Sequence, residues 1–154
     1  MRGSNSMITQ SQTSQGDGMG LQIGLVGEKE MNVTGRDLAS FDGNIGANVL
    51  STHRVVLLME LAARQAIEGR IPAGKITLGT RIDIRHFAAA PVGSRVRAVA
   101  RLTATKGNKL YFYVAAYDNM EKLAEGENEQ VIVSQDLFLK KIAHKAEKKH
   151  QSKP

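Results

Sequence analysis

VLSTHRVVLLMELAARQAIE, residues Val49 to Glu68, reads as a helix whose apolar side chains point in almost every direction. At about 100° per residue, Val55, Val56, Leu57, Leu58, Met59, Leu61, Ala62, Ala63, Ala66 and Ile67 cover nearly the whole circumference, whereas a surface helix buries one stripe. The spacing therefore predicts a central, enclosed helix. Ser51 or Thr52 can cap its N-terminus with a side-chain oxygen, and Gly69 can supply the left-handed residue just past its end. One carboxylate, Glu60, sits at its centre.

Downstream of the turn Ile71-Pro72-Ala73-Gly74 the apolar period changes from helical to two, the pattern of half-buried strands. Ile76 to Phe87 carries Ile76, Leu78, Thr80, Ile82, Ile84 and His86 on one face. Pro91 breaks that strand, and Ser94 to Ala104 follows with Val96, Ala98, Ala100, Leu102 and Ala104 inward. Gly107-Asn108 is a hairpin signal that returns the chain into Leu110, Phe112, Val114 and Ala116. A last strand, Leu123 to Val133, carries Ala124, Gly126, Asn128, Gln130 and Ile132 on its inner face. Ser134 then caps an amphipathic helix to about Lys148, with Leu137, Phe138 and Ile142 as its apolar contacts. Before the central helix, Glu30 to Val33 reads as a first strand, and Phe41 to Ala47 as a flexible loop. One long helix and strands joined as meanders predict an α+β antiparallel sheet wrapped around the helix, with a C-terminal helix added.

A chain of 154 residues with 42% hydrophobic residues is long enough for one domain with a real core. Met1 to Ser6 looks like an expression leader, and Thr9 to Gly20 is rich in Gln, Ser and Gly. The expected organisation is a disordered N-terminus over 1–19, one domain over 20–147 and a basic tail over 148–154. The absence of cysteine excludes disulfides, thiolate metal sites and cysteine nucleophiles, and fits a cytoplasmic location. No apolar run is long enough to span a bilayer, so no membrane partner is expected. Five of the six net positive charges lie between Lys140 and Pro154, and no aromatic residues are interleaved there for base stacking, so nucleic-acid binding is not expected either.

Three residues carry candidate chemistry, and each has a plainer reading. Glu60 can pair with Arg64 one turn on, a common helix-stabilising contact. His86, at the end of an apolar strand face, can be a hydrogen-bonded core or rim residue. Thr52 can be an N-cap. A carboxylate, an imidazole and a hydroxyl on a buried helix and its facing sheet can also share one pocket. The serine elbow, the phosphate loop and the dinucleotide fingerprint are absent, and His53, His86, His144 and His150 lack metal-ligand spacing, so neither cofactor nor metal is expected.

These residues fall into a family pattern. Val49-Leu50-Ser51-Thr52, Leu58-Met59-Glu60-Leu61-Ala62-Ala63, Leu78-Gly79-Thr80, the run His86 to Gly93 and Ala116-Tyr117-Asp118 resemble the hot-dog-fold thioesterases of the fluoroacetyl-CoA thioesterase type. In that family the threonine lies eight residues before the glutamate and the histidine twenty-six after it, as Thr52, Glu60 and His86 do here. The resemblance implies a hot-dog fold, hydrolysis of an acyl-CoA thioester, Thr52, Glu60 and His86 as the catalytic set, substrate contacts from Gly79, His86, Asn128 and Gln130, and a homodimer. The family's Gly-x-His-x-Arg pattern falls on Gly126 to Gln130, where Asn128 replaces the histidine and Gln130 the arginine. An amide at Gln130 hydrogen-bonds but cannot pair with an anion. The other readings are an acyl-CoA binder without turnover and an acyl-CoA hydratase.

Overall fold

Strand and helix follow one another as β1 (Val26–Asn32), a 3-10 turn (Gly35–Asp37), α1 (Thr52–Ala66), β2 (Lys75–His86), β3 (Arg95–Lys106), β4 (Lys109–Tyr117), β5 (Lys122–Ser134) and α2 (Gln135–Gln151). The computed structural model describes residues 19–152; the expected leader, the Gln- and Ser-rich stretch up to Gly18, and the last two residues lie outside that range. The five strands form one antiparallel sheet in the order β1-β3-β4-β5-β2. β3, β4 and β5 are the expected meander. β2 is not part of it: it pairs with β5 at the far edge, so the chain from His86 to Arg95 crosses the sheet rather than turning a hairpin. Pro91 and Gly93, the latter at φ +90°, sit in that crossing.

The inward alternation holds along most of the sheet. Val96, Ala98, Ala100 and Leu102 of β3 and Leu110, Phe112, Val114 and Ala116 of β4 are fully buried. It fails at the end of β3, where a register shift between Leu102 and Ala104 turns Thr105 inward instead of Ala104. An extra residue in one strand reverses every side chain beyond it. On the convex face, Lys122 donates to Glu125 at 2.7 Å and holds that carboxyl below its ordinary range.

The inward residues of β3 are mostly small because α1 lies against them. β1 comes closer still. A Cβ at Gly27 would land on the Ala62 carbonyl oxygen and the Ala66 amide, so strand and helix meet backbone to backbone. The Glu28 amide donates to Gln65 Oε1 at 2.5 Å and ties the two together. Val55, Leu58, Met59, Ala62, Ala63 and Ala66 are buried on this side of α1.

The helix is less enclosed than its composition suggests. Among the described residues nothing forms a layer over its opposite face, bearing Val56, Leu57, Glu60, Leu61 and Arg64, and Leu57 is 43% exposed. α2 departs further from expectation. Ser134 Oγ does accept the Leu137 amide at 3.3 Å, a normal N-cap, and the helix continues to Gln151. Yet none of its residues is buried; Leu137 and Ile142 are exposed, and only Phe138 is half-buried.

The close contact at Gly27 yields a direct expectation. Gly27→Ala should destabilise the fold by about 2–3 kcal/mol, because backbone on both sides of the new methyl must move. Gly35→Ala, where a Cβ meets nothing within 4 Å, should change stability far less in the same urea denaturation.

Candidate active site

The start of α1 is fixed by backbone bonds before any side chain matters. The Leu50 amide donates to the Ala90 carbonyl at 2.8 Å and the Ser51 amide to the Asp37 carbonyl at 2.9 Å. The first bond holds the entrance to the helix against the segment that follows His86, and the second holds it against the 3-10 turn. Ser51 is the N-cap by its extended backbone, but its hydroxyl does not cap; its carbonyl accepts the Arg54 and Val55 amides at 3.2 Å each.

Thr52 is therefore the first helical residue and not the cap. Its Oγ1 hydrogen-bonds with His86 Nδ1 at 2.9 Å. The other ring nitrogen, Nε2, is buried without a hydrogen-bond partner among the described residues. A buried imidazole nitrogen left unpaired costs free energy unless something binds it. Thr52 also lines a groove of about 520 Å3 with Ala39, Asp42, Asn44, Ser51, His53 and Val56. His53 bridges its rim, with Nε2 at 3.1 Å from Asp42 Oδ2.

Glu60 lies elsewhere. It is half-buried and, among the described residues, its carboxylate has neither a hydrogen bond nor an ion pair. The Arg64 contact expected from helix spacing does not form. What lies against the carboxylate is the bare backbone of Gly79 on β2, where a Cβ would stand 3.2 Å from Glu60 Oε1. Any larger side chain at position 79 would fill the space in front of the acid.

Asn128 and Gln130 are both buried on β5, Gln130 opposite Gly79 in the ladder. The pairing slips between Gly79 and Arg81, which frees the Arg81 carbonyl to accept Asn128 Nδ2 at 3.1 Å. Gln130 Nε2 donates to Asn128 Oδ1 at 2.9 Å. Asn128 is thus engaged by the strand backbone and by its neighbour, and Gln130 is the member of the pair beside Gly79.

The site residues fall into two couples within one chain. Thr52 meets His86, and Glu60 meets Gly79. Eight residues of helix separate Thr52 from Glu60, a rise of roughly 12 Å along the axis. Both open on the uncovered face of α1. No group of three or more His, Asp or Glu among the described residues is placed to hold a metal ion.

Comparison with known proteins adds to this geometry. A model of the fluoroacetyl-CoA-specific thioesterase family matches residues 33–136. The fluoroacetyl-CoA thioesterase of Streptantibioticus cattleyicolor is 32% identical over 97 residues, which cover 63% of this chain and 70% of that one. A Thermus thermophilus protein described as a thioesterase superfamily member superimposes with a TM-score of 0.77 at 30% identity, covering 86% of this chain and 97% of its own. A hot-dog-like protein from Thermanaerovibrio acidaminovorans gives 0.74 at 23% identity over 80% of this chain and 91% of its own, a likeness of fold. The curled sheet around α1 is the hot-dog fold.

The Thr52 bond can be checked without any assay of activity. In Thr52→Val the His86 Nδ1 loses its partner, and the ring 15N shifts should move toward those of a free imidazole; Thr52→Ser should keep the wild-type shifts. Identical shifts in all three proteins would mean that the bond does not hold the ring in solution.

Proposed function

Because the chain belongs to the fluoroacetyl-CoA-specific thioesterase family, we propose that it hydrolyses an acyl-CoA thioester to the free acid and thiol, with Glu60, His86 and Thr52 as the catalytic groups. The domain doing so spans residues 20–147. The observation that carries this reading is the unpaired Glu60 carboxylate facing the bare backbone of Gly79. A thioester carbonyl set in that gap meets the acid directly. Glu60 either attacks the carbonyl carbon, giving an anhydride that water then cleaves, or takes a proton from the attacking water. In both routes the thiol departs, and its pKa of about 8.5 makes that departure easy.

His86 Nε2, buried and without a partner, supplies the remaining polar contact, to the substrate or to the water. Thr52 holds the ring in orientation through Nδ1. Gly79 and Gln130 line the carbonyl end. With an amide rather than a cation at 130, this end suits an uncharged acyl group.

A second copy of the chain brings the couples together. β2 is an edge strand twelve residues long with one side unpaired among the described residues. Beside it lies the open apolar face of α1. Free edges and uncovered apolar faces are closed by pairing, and two-fold pairing is the commonest way. An antiparallel two-fold near Val56, midway between Thr52 and Glu60, sets Glu60 of one protomer beside Thr52 and His86 of the partner subunit. We therefore read the enzyme as a homodimer with each site shared.

Free-thiol release from a panel of short, branched, aromatic and long acyl-CoA esters tests the hydrolysis. Glu60→Gln should lower turnover by about 10^2–10^4-fold with circular dichroism and Tm unchanged. Full activity in a folded Glu60→Gln protein would sink the assignment. CoA-ester binding without release by the wild type would mark a binding protein instead, and loss of enoyl absorbance without thiol would mark a hydratase. Leu57→Asp should yield monomer by light scattering, because it puts a charge at the centre of the pairing face.

A further inference from the structure

The two buried amides of β5 are oriented from one end. The register slip between Gly79 and Arg81 leaves the Arg81 carbonyl facing Asn128. A carbonyl only accepts, so the Asn128 atom that meets it at 3.1 Å is Nδ2, and the Glu129 carbonyl, 3.5 Å from the same nitrogen, asks for the same orientation. Asn128 Oδ1 is then the end turned toward Gln130. An oxygen needs a donor, and Gln130 Nε2 supplies it at 2.9 Å. The run of amides that begins on a backbone carbonyl therefore ends on an oxygen, Gln130 Oε1.

That oxygen accepts no hydrogen bond among the described residues, although Gln130 is only 3% exposed. Leaving an acceptor unmet in so enclosed a place costs free energy, which an entering donor removes. Its neighbours fix where a donor can enter. On β4 the residues opposite Gln130 and Asn128 are Leu110 and Phe112, both fully buried and neither side chain a donor. On β2 the residue opposite Gln130 is Gly79, and directly opposed Cβ positions lie roughly 5 Å apart. The open side is thus the gap in front of Glu60. Glu60 lies against the same glycine and takes no hydrogen bond from Gln130, as expected where the amide presents an oxygen to that gap.

We infer that Gln130 Oε1 determines specificity by selecting acyl groups that carry a hydroxyl on C2 or C3. The inference rests on the thioesterase reading, which sets the reacting carbonyl between Glu60 and Gly79. A substituent one or two bonds beyond that carbonyl falls beside Gln130, where a hydroxyl donates to Oε1. A plain alkyl chain leaves the oxygen bare, a halogen has no proton to give, and an anionic substituent meets an oxygen of like partial charge. An ammonium group would satisfy Oε1 but would also pair with Glu60 and occupy the reacting acid. A site built around a hydrogen bond rejects the analogue that lacks it more strongly than an apolar pocket rejects an added hydroxyl.

Two isosteric pairs of esters test this: hydroxyacetyl-CoA against propionyl-CoA, and 3-hydroxypropionyl-CoA against butyryl-CoA, with kcat/KM read from thiol release. The wild type should favour the hydroxyl member of at least one pair by about tenfold or more. Gln130→Leu and Gln130→Met should each lose that preference, by turning over the hydroxyl member less well while the alkyl member is unchanged or improved. The ratio within a pair is independent of how much of each variant is folded, and the hydroxyl's electronic effect on the carbonyl is common to all three proteins. No preference in the wild type, or a preference that survives both substitutions, would overturn the proposal. Thiol release from none of the four esters would bring down the hydrolase reading instead. Calorimetry with the same pairs would then decide the acceptor: tighter binding of a hydroxyl member upholds it, and equal binding throughout rejects it.

Discussion

The contact between the Gly27 backbone and the Ala62–Ala66 turn of α1 sets how deep the helix lies in the sheet. With small residues at Ala98 and Ala100 beneath it, α1 approaches closely enough that a carboxylate one turn before Ala63 reaches the far edge strand and stops against Gly79. Two glycines on opposite edges of one sheet thus bracket the helix. At Gly27 the missing side chain lets backbone meet backbone; at Gly79 it leaves room in front of an acid. The geometry of the candidate site rests on packing: a bulkier residue at either place would lift the helix or close the gap.

Much of this was legible in the residues. The helix at its true centre, the two-residue turn at Gly107-Asn108, the inner faces of β3, β4 and β5, and the Ser134 cap follow from period and turn chemistry. Other features depend on long-range pairing that local pattern does not encode. β2 and β3 are neighbours in sequence and both alternate, so a hairpin is the simplest reading; the sheet instead places β2 beside β5. The bulge that replaces Ala104 by Thr105 on the inner face is likewise set by its partner strand.

The candidate residues were picked out by the sequence, but the contacts they make were not. Spacing along α1 suggested a Glu60–Arg64 pair and a Thr52 cap, because those are the contacts an isolated helix offers. In the folded chain Thr52 turns to His86, and among the described residues Glu60 stands without a partner. An apolar circumference on its own predicts a helix enclosed on all sides. Leu57 shows otherwise: the extra hydrophobicity belongs to a face that the chain's own sheet does not cover. A helix apolar all round can be the meeting point of two layers, only one of which is its own.

Thr52 and Glu60 are fixed eight residues apart on one helix, and the proposed shared site pairs each with the other's counterpart across a two-fold. The most direct measurement mixes two inactive proteins, Glu60→Gln and His86→Ala, under conditions that exchange subunits, and follows thiol release. If each site is shared, the mixed dimer keeps one intact pair, and a statistical mixture should recover about a quarter of wild-type turnover. A mixture no more active than either parent, with mixed dimers shown to be present, would contradict a site built from Glu60 of one protomer and His86 of the partner subunit.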